Sequence, residues 1–464
     1  MLDLAFLAFI GFVLLLGLRR PYLWVLLYVY IDIIAPQRIG YSIITSIPVS
    51  FIAFGAAFGG WLLLDRKEGA RISLRQVLMI ALLVYCWWTT GNADFPVEAQ
   101  TKWEWVWKAL LFAIFLPFTL TTRLRLEGLA LTMTLAIAMI VISTGLKTVL
   151  GGGGYENLKF FVTDNSGIYE SSTLATVAIG LTPLIWWFTR FGTIFKRDWR
   201  VKLFAAALIF SCLLIPIGTE ARTGLVCIAV LGVLLLRYVK QRILFVMAAG
   251  ALGVVALPFL PQSYYDRMAT LAQPGGDESA STRVAVWGWT LDYVAEKPFG
   301  GGFDAFRGNS FTYELPVSEE VGNTTSVEFR DVVDEGRAYH SAIFELLGEQ
   351  GWPGLMIWLW LQGLGVWQME RVSRRWKDRT EENEAWIAPL AGALQIASVI
   401  YIVGAMFQGI GYQPVMLMII GLQIGLYSYC NRFESTQRKI ATAMRKSAGN
   451  MRNQENVVPD AVTA

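Results

Sequence analysis

The chain has 464 residues, 55% of them hydrophobic and 16% charged, with a mean hydropathy of +0.48. A soluble protein of this size has too little polar surface in such a composition to cover itself, so the bilayer is its expected solvent. A formal charge of +3 with a single histidine is too small to suggest a nucleic-acid partner, and where the charges fall says more than their sum.

Runs of about 16 to 22 apolar residues, enough to cross a hydrocarbon core of about 30 Å as helix, are read near 2–18, 21–36, 47–64, 75–90, 104–121 and 126–147. Four more follow near 170–189, 202–218, 223–238 and 243–259, and after a long polar stretch three close the series at 352–369, 386–407 and 412–430. The first run meets Arg19-Arg20-Pro21 with no basic segment before it and no small-residue cleavage site after it, so it reads as a span rather than a signal peptide. The expected class is an all-α polytopic membrane protein of about 12–13 transmembrane helices. Its expected divisions are an N-terminal bundle (1–259), a large helical loop domain (260–351), C-terminal helices (352–430) and a polar tail (431–464) that frays into disorder. Cys86, Cys212, Cys227 and Cys430 all fall in apolar runs with no CxxC pair, which predicts packing thiols rather than disulfides.

Alternate loops differ sharply in charge. One set holds Arg19/Arg20, Arg66/Lys67/Arg71, Arg123/Arg125, Lys196/Arg197/Arg200, Arg237/Lys240/Arg242, the run from Arg371 to Arg379, and the tail with Arg438/Lys439. The other holds Arg38, Lys102, Lys147, Lys159 and Arg222 beside the acidic segment 91–100. Because Lys and Arg concentrate in short cytoplasmic loops, the first set is expected inside and the 260–351 loop outside. Within that loop, the turn-rich stretches 272–277 and Gly300-Gly301-Gly302 flank an amphipathic helix predicted over Arg283 to Glu296, with Trp287, Leu291 and Val294 at helical spacing.

His340, in Arg337-Ala338-Tyr339-His340-Ser341, has a side chain whose ordinary pKa suits a general base near neutral pH; its alternative is a structural histidine at the interface. Arg222 lies at the outward end of a span, where it faces water or an anion, snorkels, or pairs with Glu220. Arg283 alone is an ordinary surface charge. Together on one face, two arginines and a base suit a phosphate-bearing substrate, since a guanidinium grips phosphate oxygens in a fork and stays charged. A second outward loop, Gly151 to Tyr155 with Asp164 and Asn165, offers sugar-hydroxyl contacts or a turn with a helix cap. A GxxxxGK[ST] phosphate loop is absent, which argues against ATP-driven transport. The spans show no clear relay of buried acids, which weakens a proton-coupled transporter.

Three stretches resemble the bacterial O-antigen ligase and polymerase superfamily, membrane enzymes with a Wzy_C-type region: Glu220-Ala221-Arg222-Thr223-Gly224; Ser281-Thr282-Arg283 with Trp287 and Pro298-Phe299-Gly300-Gly301-Gly302-Phe303; and His340-Ser341 with Leu347 to Leu355. That likeness covers roughly 200–370, while Arg19-Arg20-Pro21 and Gly152-Gly153-Gly154-Tyr155 with Asp164-Asn165 look like the O-antigen or O-glycosylation ligase subgroup. The resemblance implies a GT-C-type glycosyltransferase of the bacterial inner membrane, working at its periplasmic face among membrane lipids without metal or cofactor. It implies a donor glycan on undecaprenyl pyrophosphate and an acceptor hydroxyl on the lipid A-core sugar; in relatives the acceptor is a growing glycan or a protein side chain. His340 matches the catalytic histidine, and Arg222 and Arg283 match the arginines expected at the pyrophosphate. Arg337 matches no motif and stands with Tyr339, Asp164 and Asn165 as a candidate glycan or acceptor contact. A polymerase of the same superfamily is the nearest rival; a lipid-linked glycan flippase is a rival of another class.

Overall fold

A chain in lipid must satisfy its backbone internally, and helices do so segment by segment. In a computed structural model, which describes residues 2–65, 67, 71–151, 167–257, 265, 278–321 and 324–455, each of the thirteen predicted spans coincides with a helix. They are α1 (Leu2–Gly17), α2 (Tyr22–Ile34), α3 (Val49–Leu64), α4 (Leu74–Gly91), α5 (Pro96–Thr119), α6 (Arg123–Gly151), α7 (Ser171–Phe191), α8 (Trp199–Gly218), α9 (Arg222–Leu235) and α10 (Arg242–Ala256). After α11 (Glu278–Glu296) and a hairpin of β1 (Ser310–Val321) and β2 (Thr324–Glu335) come α12 (Ala342–Trp376), α13 (Ile387–Ala405) and α14 (Pro414–Glu455). Among the described residues, six helices are long and apolar enough to cross a membrane, and α1, α3, α9 and α10 are apolar but shorter.

Several helix starts are set by local chemistry. Ser73 and Gln76 form a reciprocal capping box on α4, and the Asp198 and Glu170 carboxylates accept from the first backbone N–H groups of α8 and α7. Helix α13 packs on both α7 and α12, α14 on α5, and α2 on α3 and α6. All four cysteines are free and buried, as packing thiols should be.

The bundle has two distinct ends. Helices α4 and α5 form an antiparallel pair joined at residues 92–95, and α12 runs alongside α4. At one end a cavity brings together Arg19, Arg20, Arg71, Arg125, Arg371 and Lys439, from five of the loops that charge counting assigned to one side. At the other end, about 36 Å away along the 24 residues of α5, the 92–95 turn and Lys102 meet the segment that follows α11.

The long loop is only partly helical. Helix α11 appears as predicted, but β1 and β2 pair antiparallel from Ser310 opposite Glu335 to Val321 opposite Thr324. The expectation of a helical loop is corrected there. A signal for the hairpin was present in the β-branched Thr324, Thr325 and Val327 and in Gly322-Asn323 between the two strands' sequences. The 272–277 turn region and the second outward loop, including Gly152 to Tyr155, Asp164 and Asn165, lie outside the described residues.

Candidate functional site

The glycine run after α11 docks the loop onto the bundle. Gly300 and Gly302 have φ of +83° and +80°, and Gly351, inside α12, has +62°. The Gly301 and Gly302 N–H groups donate to the carbonyls of Gly348 and Glu349 at 3.0 and 2.9 Å, and Trp352 donates to the Pro298 carbonyl at 3.0 Å. A Cβ on Gly300 or Gly351 falls within 2.5 Å of backbone from the opposite segment. Positive φ and this close approach both require glycine. The Pro298–Phe303 motif is thus a seat for the loop rather than a set of reacting groups. The Asp94 N–H donates to the Gly301 carbonyl at 2.8 Å, and the Asp94 carboxylate accepts from Lys297 at 2.6 Å, so the α4–α5 turn locks the same seat.

Beneath it lies a buried ion cluster that the sequence reading missed. Lys102 Nζ is 2.7 Å from carboxylate oxygens of both Glu345 and Glu349; Glu349 Oε1 also accepts from the Asp304 N–H at 3.0 Å, and Glu345 Oε2 from the Gly411 N–H at 3.0 Å. These acids belong to the 260–351 loop, just before the predicted span at 352, and not to the spans themselves. They join α5, α12, the glycine seat and the turn before α14. A Lys among tryptophans and glutamates four and eight residues before Pro353 gave no periodic signal that they meet.

His340 stands just above this cluster, immediately before α12. It is exposed, and its backbone is left-handed at φ +47°, an uncommon state for a non-glycine residue. The neighbours hold it there. Trp287 of α11 donates its indole N–H to the Tyr339 carbonyl at 2.9 Å and stacks on Phe344 at 4.8 Å between ring centres. Buried Asn309 clamps the Arg337 backbone, its amide donating to the Arg337 carbonyl at 2.7 Å and its carbonyl accepting the Arg337 N–H at 2.9 Å. The mouth of the hairpin and α11 thus fix the peptide that carries His340.

Arg283 lies four residues before Trp287 on α11, hence on the same helix face. Protein crowding one side of the imidazole is the first cause that lowers the His340 pKa below its usual 6.5, and the Arg283 guanidinium is the second. Glu170 pulls the other way, and Arg337 adds to the lowering. A neutral imidazole is favoured near pH 7, as a proton acceptor needs. Glu170, which the sequence did not single out, also caps α7, accepting from the Ser172 and Thr173 N–H groups at 3.3 and 2.8 Å.

Arg222 opens α9 at the same end of the bundle. Glu220, at φ +53°, turns the chain out of α8, and Gly224 presses against Pro216 and Ala175, where a Cβ falls at 2.5 and 2.9 Å. That contact sets the first turn of α9 beside the first turn of α7, whose cap is Glu170. Arg283, Arg337 and Glu170 surround His340 electrostatically, and Arg222 stands one helix farther on. Tyr339 is different: its side chain is 3% exposed, with the hydroxyl packed toward Gly348, so it faces the core rather than the surface. Arg337 is exposed and ion-paired with Asp334.

Residues 204–359 match the family model described as O-antigen ligase, and residues 1–193 match that of a family of unknown function, DUF5935. No curated protein matches the chain. The O-antigen ligase match contains Arg222, Arg283, His340 and the glycine seat, while Glu170 and Lys102 fall in the N-terminal match.

Proposed function

We propose that this chain, which belongs to the O-antigen ligase and polymerase superfamily through residues 204–359, transfers a glycan from undecaprenyl pyrophosphate to a lipid A-core hydroxyl at the periplasmic face of the inner membrane. The observation that carries this reading is an exposed imidazole with a lowered pKa, held beside the Arg283 guanidinium. In the proposed step, the acceptor O–H gives its proton to His340 as its oxygen attacks the anomeric carbon. The bond from that carbon to the pyrophosphate oxygen breaks, and its electron pair leaves with the pyrophosphate. Arg283 and Arg222 hold that leaving group, stabilising the charge it gains. One displacement inverts the anomeric centre. No metal or cofactor enters the step.

Supporting groups follow from the geometry. Trp287 and Asn309 maintain the left-handed His340 peptide, and Arg337 is the remaining cation at the rim, suited to a glycan or acceptor contact. Asp164 and Asn165 keep their proposed glycan role from the sequence. Purified protein given lipid-linked donor and lipid A core tests the reading. His340→Ala is expected to lose transfer by about 100-fold or more, the usual worth of a general base, while donor binding stays near that of the parent chain. Full transfer in that variant removes the base assignment. Ladder growth on lipid-linked repeats without core assigns the chain to the polymerases, glycan appearing on a protein acceptor makes it an O-glycosylation ligase, and translocation of intact donor without transfer makes it a flippase.

A further inference from the structure

A cavity at the opposite end of the bundle from His340 has no part in the transfer step. Its volume is about 1680 Å³, above the range of about 300–1000 Å³ typical of small-molecule pockets. Seven cations line it, Arg19, Arg20, Arg71, Arg125, Arg371, Arg432 and Lys439, against one carboxylate, Asp65. Asp65 takes both terminal nitrogens of Arg125, at 2.5 and 2.8 Å. The rest of the wall mixes polar side chains such as Ser73, Gln368 and Asn431 with apolar ones, among them the exposed Leu74, Leu124 and Trp367.

We infer that this cavity binds one anionic glycerophospholipid of the cytoplasmic leaflet. The preference of cations for the cytoplasmic side explains why these residues share an end; it does not explain why cations from five separate loops converge on one cavity with a net charge of +6. Like charges gathered in a cleft repel one another, and a bound phosphate relieves that repulsion. The ligand is an amphiphile because the cations stand beside leucines and a tryptophan at the ends of membrane helices. A phosphodiester meets the guanidinium groups and the acyl chains cover the apolar wall. Two of the cations are held in place: Arg432 donates to the Leu120 carbonyl at 3.1 Å, and Arg371 lies over the Trp367 ring at 5.4 Å.

Native mass spectrometry of the delipidated full chain, with phosphatidylglycerol or phosphatidylcholine of the same acyl chains, tests the inference independently of glycan transfer. The chain is expected to retain one phosphatidylglycerol and to release phosphatidylcholine. Each surface cation contributes roughly a fivefold factor to affinity for anionic lipid. The combined change Arg20→Gln, Arg71→Gln and Arg371→Gln should therefore weaken retention by more than about tenfold. The corresponding Lys variants keep the charge and retain the lipid, which separates lost binding from lost folding. Equal retention of both lipids, undiminished retention in the Gln variant, or full displacement by inorganic phosphate overturns the assignment; the last marks a site for a soluble anion.

Discussion

At the scale of single residues, the imidazole of His340 feels protein crowding and the cations of Arg283 and Arg337 on one side of the balance and Glu170 on the other. A base works in its neutral form, so transfer should be full above the folded-state pKa and fall as pH drops through it. Because that pKa is lowered, the acid limb of kcat/KM is expected below 6.5. Arg283→Gln removes a cation and moves the limb up in pH; Glu170→Gln removes an anion and moves it down. A pH profile of each variant reads this directly, and rates that fall with no movement of the limb would exclude electrostatic contact with the base. His340 and Arg283 were legible in the sequence because a lone histidine and an arginine opening an amphipathic helix are rare enough to notice. Glu170 was hidden because it also does an ordinary job, capping α7. Burial of Tyr339 was equally hidden, since a tyrosine beside a candidate base reads as a surface contact until the chain turns it inward.

At the scale of elements, the loop is held by a glycine seat above and an ion cluster below. Gly351, at φ +62° and ψ −167°, occupies a region open essentially to glycine alone, and a Cβ there lies 2.2 Å from the Pro298 carbonyl. Gly351→Ala should cost about 3 kcal/mol, strain and overlap together, seen as a lowered midpoint of thermal unfolding in detergent. Lys102→Met strands Glu349 in a fully buried position and should cost about 3–5 kcal/mol; adding Glu349→Gln should restore much of it. If the double variant is no more stable than Lys102→Met alone, Glu349 is not the partner that matters. The spans were legible because apolar runs need no partner to be recognised. The seat and cluster were not, because each depends on residues about 50 to 250 positions apart whose meeting only the packing reveals. The hairpin was missed for a nearer reason: its first strand, Ser310 to Val321, does alternate Phe311, Tyr313, Leu315 and Val317, but Pro316 inside the run and the acidic residues Glu314, Glu319 and Glu320 argue against a strand.

At the scale of the whole molecule, charge counting and packing were independent routes to the same division. The loops rich in cations meet around one cavity, and the predicted site residues described here gather at the far end of α4, α5 and α12. Helix α12 joins the two: it begins after Ser341, is kinked at Gly351, and its stretch from Trp352 to Trp376 rises roughly 37 Å to the basic run near Lys377. Its orientation therefore fixes which compartment receives His340. Glu335 and Lys377 are exposed on either side of this helix, and the native cysteines are all buried, so a single introduced thiol can report alone. A membrane-impermeant thiol reagent is expected to label Glu335→Cys in right-side-out spheroplasts and Lys377→Cys only in inverted vesicles. The reverse pattern would put His340 in the cytoplasm, where a glycan on a lipid pyrophosphate has not yet crossed. Labelling of both from one side would mean that α12, despite its length, does not cross.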